Sequence, residues 1–176
     1  MGLFKNICLL PLIYVFILTS NVKSVENIFY LNFDSLLINS LAGKSIILQL
    51  QDLEKKKNLK FKKISDEIND KRKKIITQKN VISDDEFKLK INDLNVEIEN
   101  YKKALSIEKN EIKKLQNKAN NLLIDRINII LIEYSEEKKV DLIINKKSIV
   151  LGKSNLEITS EIMKIIDNKV KKINLQ

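Results

Sequence analysis

From Phe87 to Ile129 the chain places a seam residue at alternating intervals of four and three: Phe87, Ile91, Leu94, Ile98, Tyr101, Leu105, Glu108, Ile112, Leu115, Ala119, Leu122, Arg126, Ile129. Only Glu108 and Arg126 interrupt an otherwise apolar row. A 3.5-residue repeat held over about six heptads is the signature of a coiled coil. A helix of about 50 residues spans about 75 Å at ~1.5 Å per residue, so it cannot close into a compact globule. Nothing downstream is equipped to break it. Pro occurs once, at Pro11, and beyond residue 24 the only glycines are Gly43 and Gly152. A chain so poor in breakers is free to form long helices and makes few tight turns.

A second helical stretch precedes the first. Beginning at Lys44, Leu50, Leu53, Phe61, Ile64, Ile68 and Ile75 recur mostly at three- and four-residue intervals, with Lys57 and Lys71 in the gaps. The stripe is narrow and its flanks are charged, which suits a coiled coil better than a wide globular face. Between the two stretches lies "NVISDDEF". Ser83 followed by Glu86 is a capping box, with Asp84 and Asp85 at the positive end of a new helix. Asn80 is expected to end the earlier helix in a left-handed cap. The two stretches are therefore read as arms of one antiparallel hairpin over residues 44–137, with its tip near 80–86.

The chain ends are different. Ile28, Phe29, Tyr30 and Leu31 begin a short strand running to Phe33. "DSLLINSLAG" then gives a short helix capped by Asp34 or Ser35 and ended by Gly43. Past Leu122, apolar residues occupy nearly every helical face, which predicts burial among several neighbours. Val140 to Ile144, including Leu142 and Ile143, is expected to form a strand. Ile149, Val150 and Leu151 are expected to form another before Gly152. Ile162, Ile165, Ile166 and Val170 then line a last amphipathic helix. Residues 25–43 and 138–176 thus make the two parts of a small β-containing body. Its exposed sheet edges would be satisfied by oligomerisation.

The first 24 residues form a unit of their own. Lys5 precedes an apolar run from Ile7 to Leu18, and Val22 and Ser24 stand at small-residue positions before a cut after Ser24. The run is shorter than the ~20 residues of a spanning helix, which favours a cleavable signal peptide and export. The alternative is an uncleaved anchor holding an envelope scaffold or tether. Cleavage removes Cys8, the single cysteine, together with Lys5 and Lys23. The formal charge falls from +9 to +7, with 30 basic against 23 acidic residues.

The terminal segments "IFYLNFDSLL", "SLAGKS" and "DLIINKKSIVLGKSNLEITSEIMKII", on either side of a coil that reverses at "ISDDEF", resemble the periplasmic chaperone family Skp, also called OmpH. The similarity runs from about Ile28 to Val170. The resemblance implies a mainly α, jellyfish-like fold, a homotrimer whose terminal strands build a shared β body carrying helical-hairpin arms. It also implies a periplasmic location and an ATP-independent holdase activity that keeps unfolded outer-membrane β-barrel proteins between the arms.

Other chemistries find little support. "AGKS" ends like a P-loop, but Ile38 stands where the first glycine of that motif belongs. There is no histidine, and no cysteine after cleavage, so Cys nucleophiles, His bases and the usual zinc ligands are missing. No catalytic residue, metal ligand or cofactor is assigned, and the protein is not read as an enzyme. Basic residues interleaved with acids and lacking aromatic neighbours imply no specific nucleic-acid partner. Lys55, Lys56, Lys62, Lys63, Lys71, Arg72, Lys73 and Lys74 are read either as a solvated helix face balanced by nearby Glu and Asp, or as a positive field toward acidic clients, anionic lipid or lipopolysaccharide. Apolar Ile75, Ile76, Val81, Ile82 and Phe87 near the tip are candidates for transient client contact, or for closing the hairpin.

Overall fold

A computed structural model describes residues 27–175. The expected signal peptide, residues 1–24, lies outside them. The elements are β1 (Ile28–Leu31), α1 (Phe33–Asn39), α2 (Leu41–Thr77), α3 (Asp84–Lys138), β2 (Leu142–Asn145) and α4 (Thr159–Lys169). Two short 3-10 turns, Lys146–Ser148 and Ser154–Leu156, separate β2 from α4. Among the described residues, no helix is long and apolar enough to cross a membrane.

α2 and α3 form the antiparallel hairpin. Their 37 and 55 residues correspond to about 55 Å and about 80 Å of helix. Half of the expected capping box forms: the Ser83 hydroxyl accepts from the Glu86 amide at 3.3 Å, and three acids occupy the first turn. The Glu86 carboxylate pairs forward with Lys90 at 3.1 Å. Asn80 does not take the left-handed cap. α2 ends at Gln78 in right-handed geometry, and the positive-φ non-glycine residue of the described chain is Lys139, where α3 ends.

Two further expectations shift at the root of the hairpin. Asn32, rather than Asp34 or Ser35, caps α1, its side chain accepting from the Ser35 amide at 3.0 Å. Gly43 does not end α1. Ser40 breaks the chain in extended geometry and caps α2, its fully buried hydroxyl accepting from the Gly43 amide at 3.1 Å. The first arm therefore begins at Leu41, with Gly43 inside its first turn.

β1 and β2 pair in parallel, Ile28 opposite Leu142 through Leu31 opposite Asn145. Parallel strands require a crossover, and here the entire helical hairpin is that crossover. On the other edge of β1, Tyr30 makes a parallel bridge to Glu157, and its carbonyl accepts from the Ile158 amide at 2.9 Å. The strand expected at Ile149–Leu151 is not formed within the single chain. The 3-10 turn at Lys146–Ser148 carries this segment away from β2, and Val150 and Leu151 stand fully in solvent.

Among the described residues, most buried apolar side chains fall into two cores. The body core joins Leu31 and Leu36 to Ile46, Leu123, Ile127, Ile162 and Ile166. A smaller core lies between the arms nearer the tip, built on Ile68, Ile75 and Leu94 with Ile64, Phe87, Ile91, Ile98 and Tyr101 packed against it.

The hairpin, its root and the body surface

The arm seam is where sequence and structure agree most closely, up to Ala119. Beyond it the buried positions are Leu123, Ile127, Ile130 and Tyr134, one residue later than the heptad extrapolation. Leu122 and Ile129, placed in the seam by the sequence, are close to half exposed, and Arg126 faces solvent. The cause is a change of partner. Up to Ala119 α3 packs on a single antiparallel helix; beyond it α3 also faces α1 and α4, which select a different face. Intervals of four exceed the 3.6-residue turn, so the apolar stripe winds around the helix toward them.

The polar interruptions of the seam meet one another. Lys57, in the gap of the first arm, pairs with Glu108, in the gap of the second, at 2.7 Å, both side chains partly shielded. Lys71 pairs with Glu97 at 2.6 Å. Phe61 and Tyr101 meet edge to face between these pairs, with ring centroids 5.9 Å apart. In the sequence, Lys57 and Glu108 stand as separate breaks in two stripes. Their antiparallel register was the missing signal.

The tip candidates divide. Ile75 is buried and Phe87 packs against the tip core, with the Lys79 ammonium 6.0 Å from the Phe87 ring centroid, so both close the hairpin. Ile82 is half-buried. Ile76 and Val81 are exposed, the latter at 82 %. Of the basic candidates, Lys55, Lys62, Lys63, Arg72 and Lys74 are exposed, Lys56 pairs with Asp52 at 2.8 Å, and Lys73 reaches Asp70 at 3.4 Å. Lys71 is engaged across the hairpin. The first arm presents a cationic surface only partly balanced by its own acids.

In the body, Tyr30 and Leu31 are buried, Phe29, Val140, Ile143, Ile144 and Ile149 are partly buried, and Ile28 and Leu142 lie open. A groove of about 720 Å³ runs along this face between α3 and the strands, its apolar walls including Leu31, Phe33, Leu131, Ile132, Leu142 and Ile143. The opposite edge is tied by charge. Lys146 holds both oxygens of Glu157 at 2.9 and 2.8 Å, which raises the lysine pKa and lowers that of the carboxylate. Lys147 pairs with Asp34. Deeper in, the Tyr134 hydroxyl donates to Glu161 at 3.0 Å. Burial, reinforced by that carboxylate, pushes the Tyr134 pKa up to about 12.

A long hairpin rooted in a small, partly open β-containing body defines an arm-bearing protein. The chain belongs to the family described as outer membrane protein (OmpH-like), whose pattern matches residues 27–166. The fold is similar to a crystal structure of an OmpH-like protein from Caulobacter crescentus CB15, provisionally described as an outer membrane chaperone. The TM-score is 0.80 at 14 % identity, covering 86 % of this chain and 89 % of that one. No curated protein matches the sequence. Family and fold agree in placing the chain among OmpH-like proteins.

Proposed function

We propose that the protein is an ATP-independent periplasmic holdase that binds unfolded outer-membrane β-barrel proteins against its helical arms and keeps them from aggregating. The observation that carries this reading is the division of labour along the chain. The apolar core is concentrated in the body, and a charged hairpin with isolated exposed apolar side chains extends from it. Such a surface suits transient capture. Distributed charge attracts from a distance, and many weak contacts add without a stable packed interface that would trap the client. Membership in the OmpH-like family points the same way. Anionic lipid and lipopolysaccharide are secondary partners by the same cationic chemistry.

The working form proposed is a homotrimer sharing one β body. Val150 and Leu151 are fully exposed, Leu142, Ile129 and Ile132 are close to half exposed or more, and the apolar groove beside the strands is open. Apolar area of this extent marks an association surface on a body this small.

Light scattering tests the activity. A urea-unfolded outer-membrane β-barrel protein is diluted into nucleotide-free buffer with and without residues 25–176. Suppression that saturates near one client per three chains is expected. Undiminished aggregation at excess chaperone would refute the holdase reading and favour an envelope tether.

A further inference from the structure

The C-terminal tail is not explained by the hairpin or by the strands. α4 ends at Lys169, and the chain then continues without regular secondary structure from Val170 to Leu175, past the end of the family-matched region at residue 166. Six residues can reach at most about 20 Å. This segment turns back onto the root of the first arm. Ile173 is buried at 5 % exposure in the same core as Leu50, and Leu175 packs against that core. The Ile173 carbonyl accepts from the Gln49 side-chain amide at 2.7 Å, and the same nitrogen also reaches Ser45. Lys171, Lys172 and Asn174 face solvent, so the tail is an amphipathic strap.

A second attachment lies just before it. The Asp167 carboxylate accepts from the Leu41 amide at 2.7 Å, at the positive end of α2. The C-terminal segment therefore grips α2 at Leu41 and again at Gln49. These points are eight residues apart, about 12 Å along the helix. The α2 root is already seated in the body core through Ala42, Ile46 and Leu50, and these two contacts add fixed points at its end and two turns further out.

We infer that residues 167–175 are a strap that fixes the angle at which the arm leaves the body. Asp167 holds the end of the arm, and the Ile173 side chain and carbonyl hold it two turns further out. The angle sets the width of the space beside the arms, so the strap's consequence for client capture rests on the holdase reading. Its mechanical role does not.

The test needs no client. Residues 25–176 contain no cysteine, so spin labels are placed at Leu59→Cys on the arm and Lys164→Cys on α4, both exposed. Labelled chain is mixed with an excess of unlabelled chain. Distance distributions are compared for the full chain, a chain ending at Lys169, and Ile173→Asn. Hydrogen exchange is followed in parallel at Ile46–Leu53 and at Leu123–Ile130. The expected result is a broadened arm-to-body distance in both variants. Root amides should exchange faster by roughly tenfold while the α3 core keeps its protection. An unchanged distance distribution would overturn the strap. So would a loss of protection shared equally by root and core, because the tail would then serve only global stability. A full-length protein that fails to hold clients while its variants broaden as expected would remove the holdase reading and leave the strap standing.

Discussion

Gly43 shows how much one residue can carry. Its expected role as the end of α1 gives way to a spatial one inside the first turn of α2. A Cβ there would stand 1.9 Å from the Leu37 carbonyl oxygen, where α1 turns beneath the first turn of α2. The obstacle is backbone and cannot rotate aside. Gly43→Ala should cost about 3 kcal/mol through forced overpacking, read as a lowered midpoint in urea. Tyr134 makes a different prediction. Its folded pKa, about 12, exceeds the ordinary 10.0, so the stability tied to its neutral form is complete below pH 10 and is lost as pH rises through about 12. Tyr134→Phe should abolish the phenolate transition near pH 12 in an ultraviolet titration. It should also cost about 1.5 kcal/mol at neutral pH, because Glu161 loses a charged hydrogen bond.

At the scale of the element, the hairpin was readable because its instructions are local. Heptad spacing, a capping box and the scarcity of breakers all lie within a few residues of the features they specify. The exit from the seam was not readable. Leu122, Arg126 and Ile129 continue the heptad pattern, and only the arrival of α1 and α4, distant in sequence, turns Leu123, Ile127 and Ile130 inward. Ile149–Leu151 misleads for the opposite reason. Its β-branched, apolar composition favours a strand, but it finds no partner strand among the described residues. The strap after α4 had no signal beyond a lone Ile173 and Leu175 among polar residues. The Lys57–Glu108 pair offers a test of the seam. Glu108→Leu alone should weaken the hairpin by about 1 kcal/mol, leaving a partly shielded ammonium unpaired. Replacing both residues by leucine should restore or exceed the original stability, and thermal unfolding of the two variants separates the cases.

For the whole molecule, the governing fact is that apolar burial is unevenly distributed. The body buries its side chains in one continuous core, yet leaves an apolar groove and the Val150–Leu151 pair open. The arm has a small core near its tip, and its surface is mainly charged with scattered exposed apolar side chains. Under the proposed function, association belongs to the body and client contact to the arm. Ile76 and Val81, exposed near the tip, and Leu59, exposed on the back of α2, are the apolar points from which contact is expected. Candidate client residues were only partly separable in sequence, because Ile75 and Ile76 are chemically alike. Helical phase alone buries the first and exposes the second.

The measurement that tests this assignment most directly is site-specific photo-crosslinking to an unfolded outer-membrane β-barrel protein. The crosslinker is placed in turn at Leu59, Ile76 and Val81 on the arm and at Lys164 on α4. Adducts from the arm positions with none from Lys164 are predicted. Adducts confined to Lys164, with the arm silent, would contradict the account.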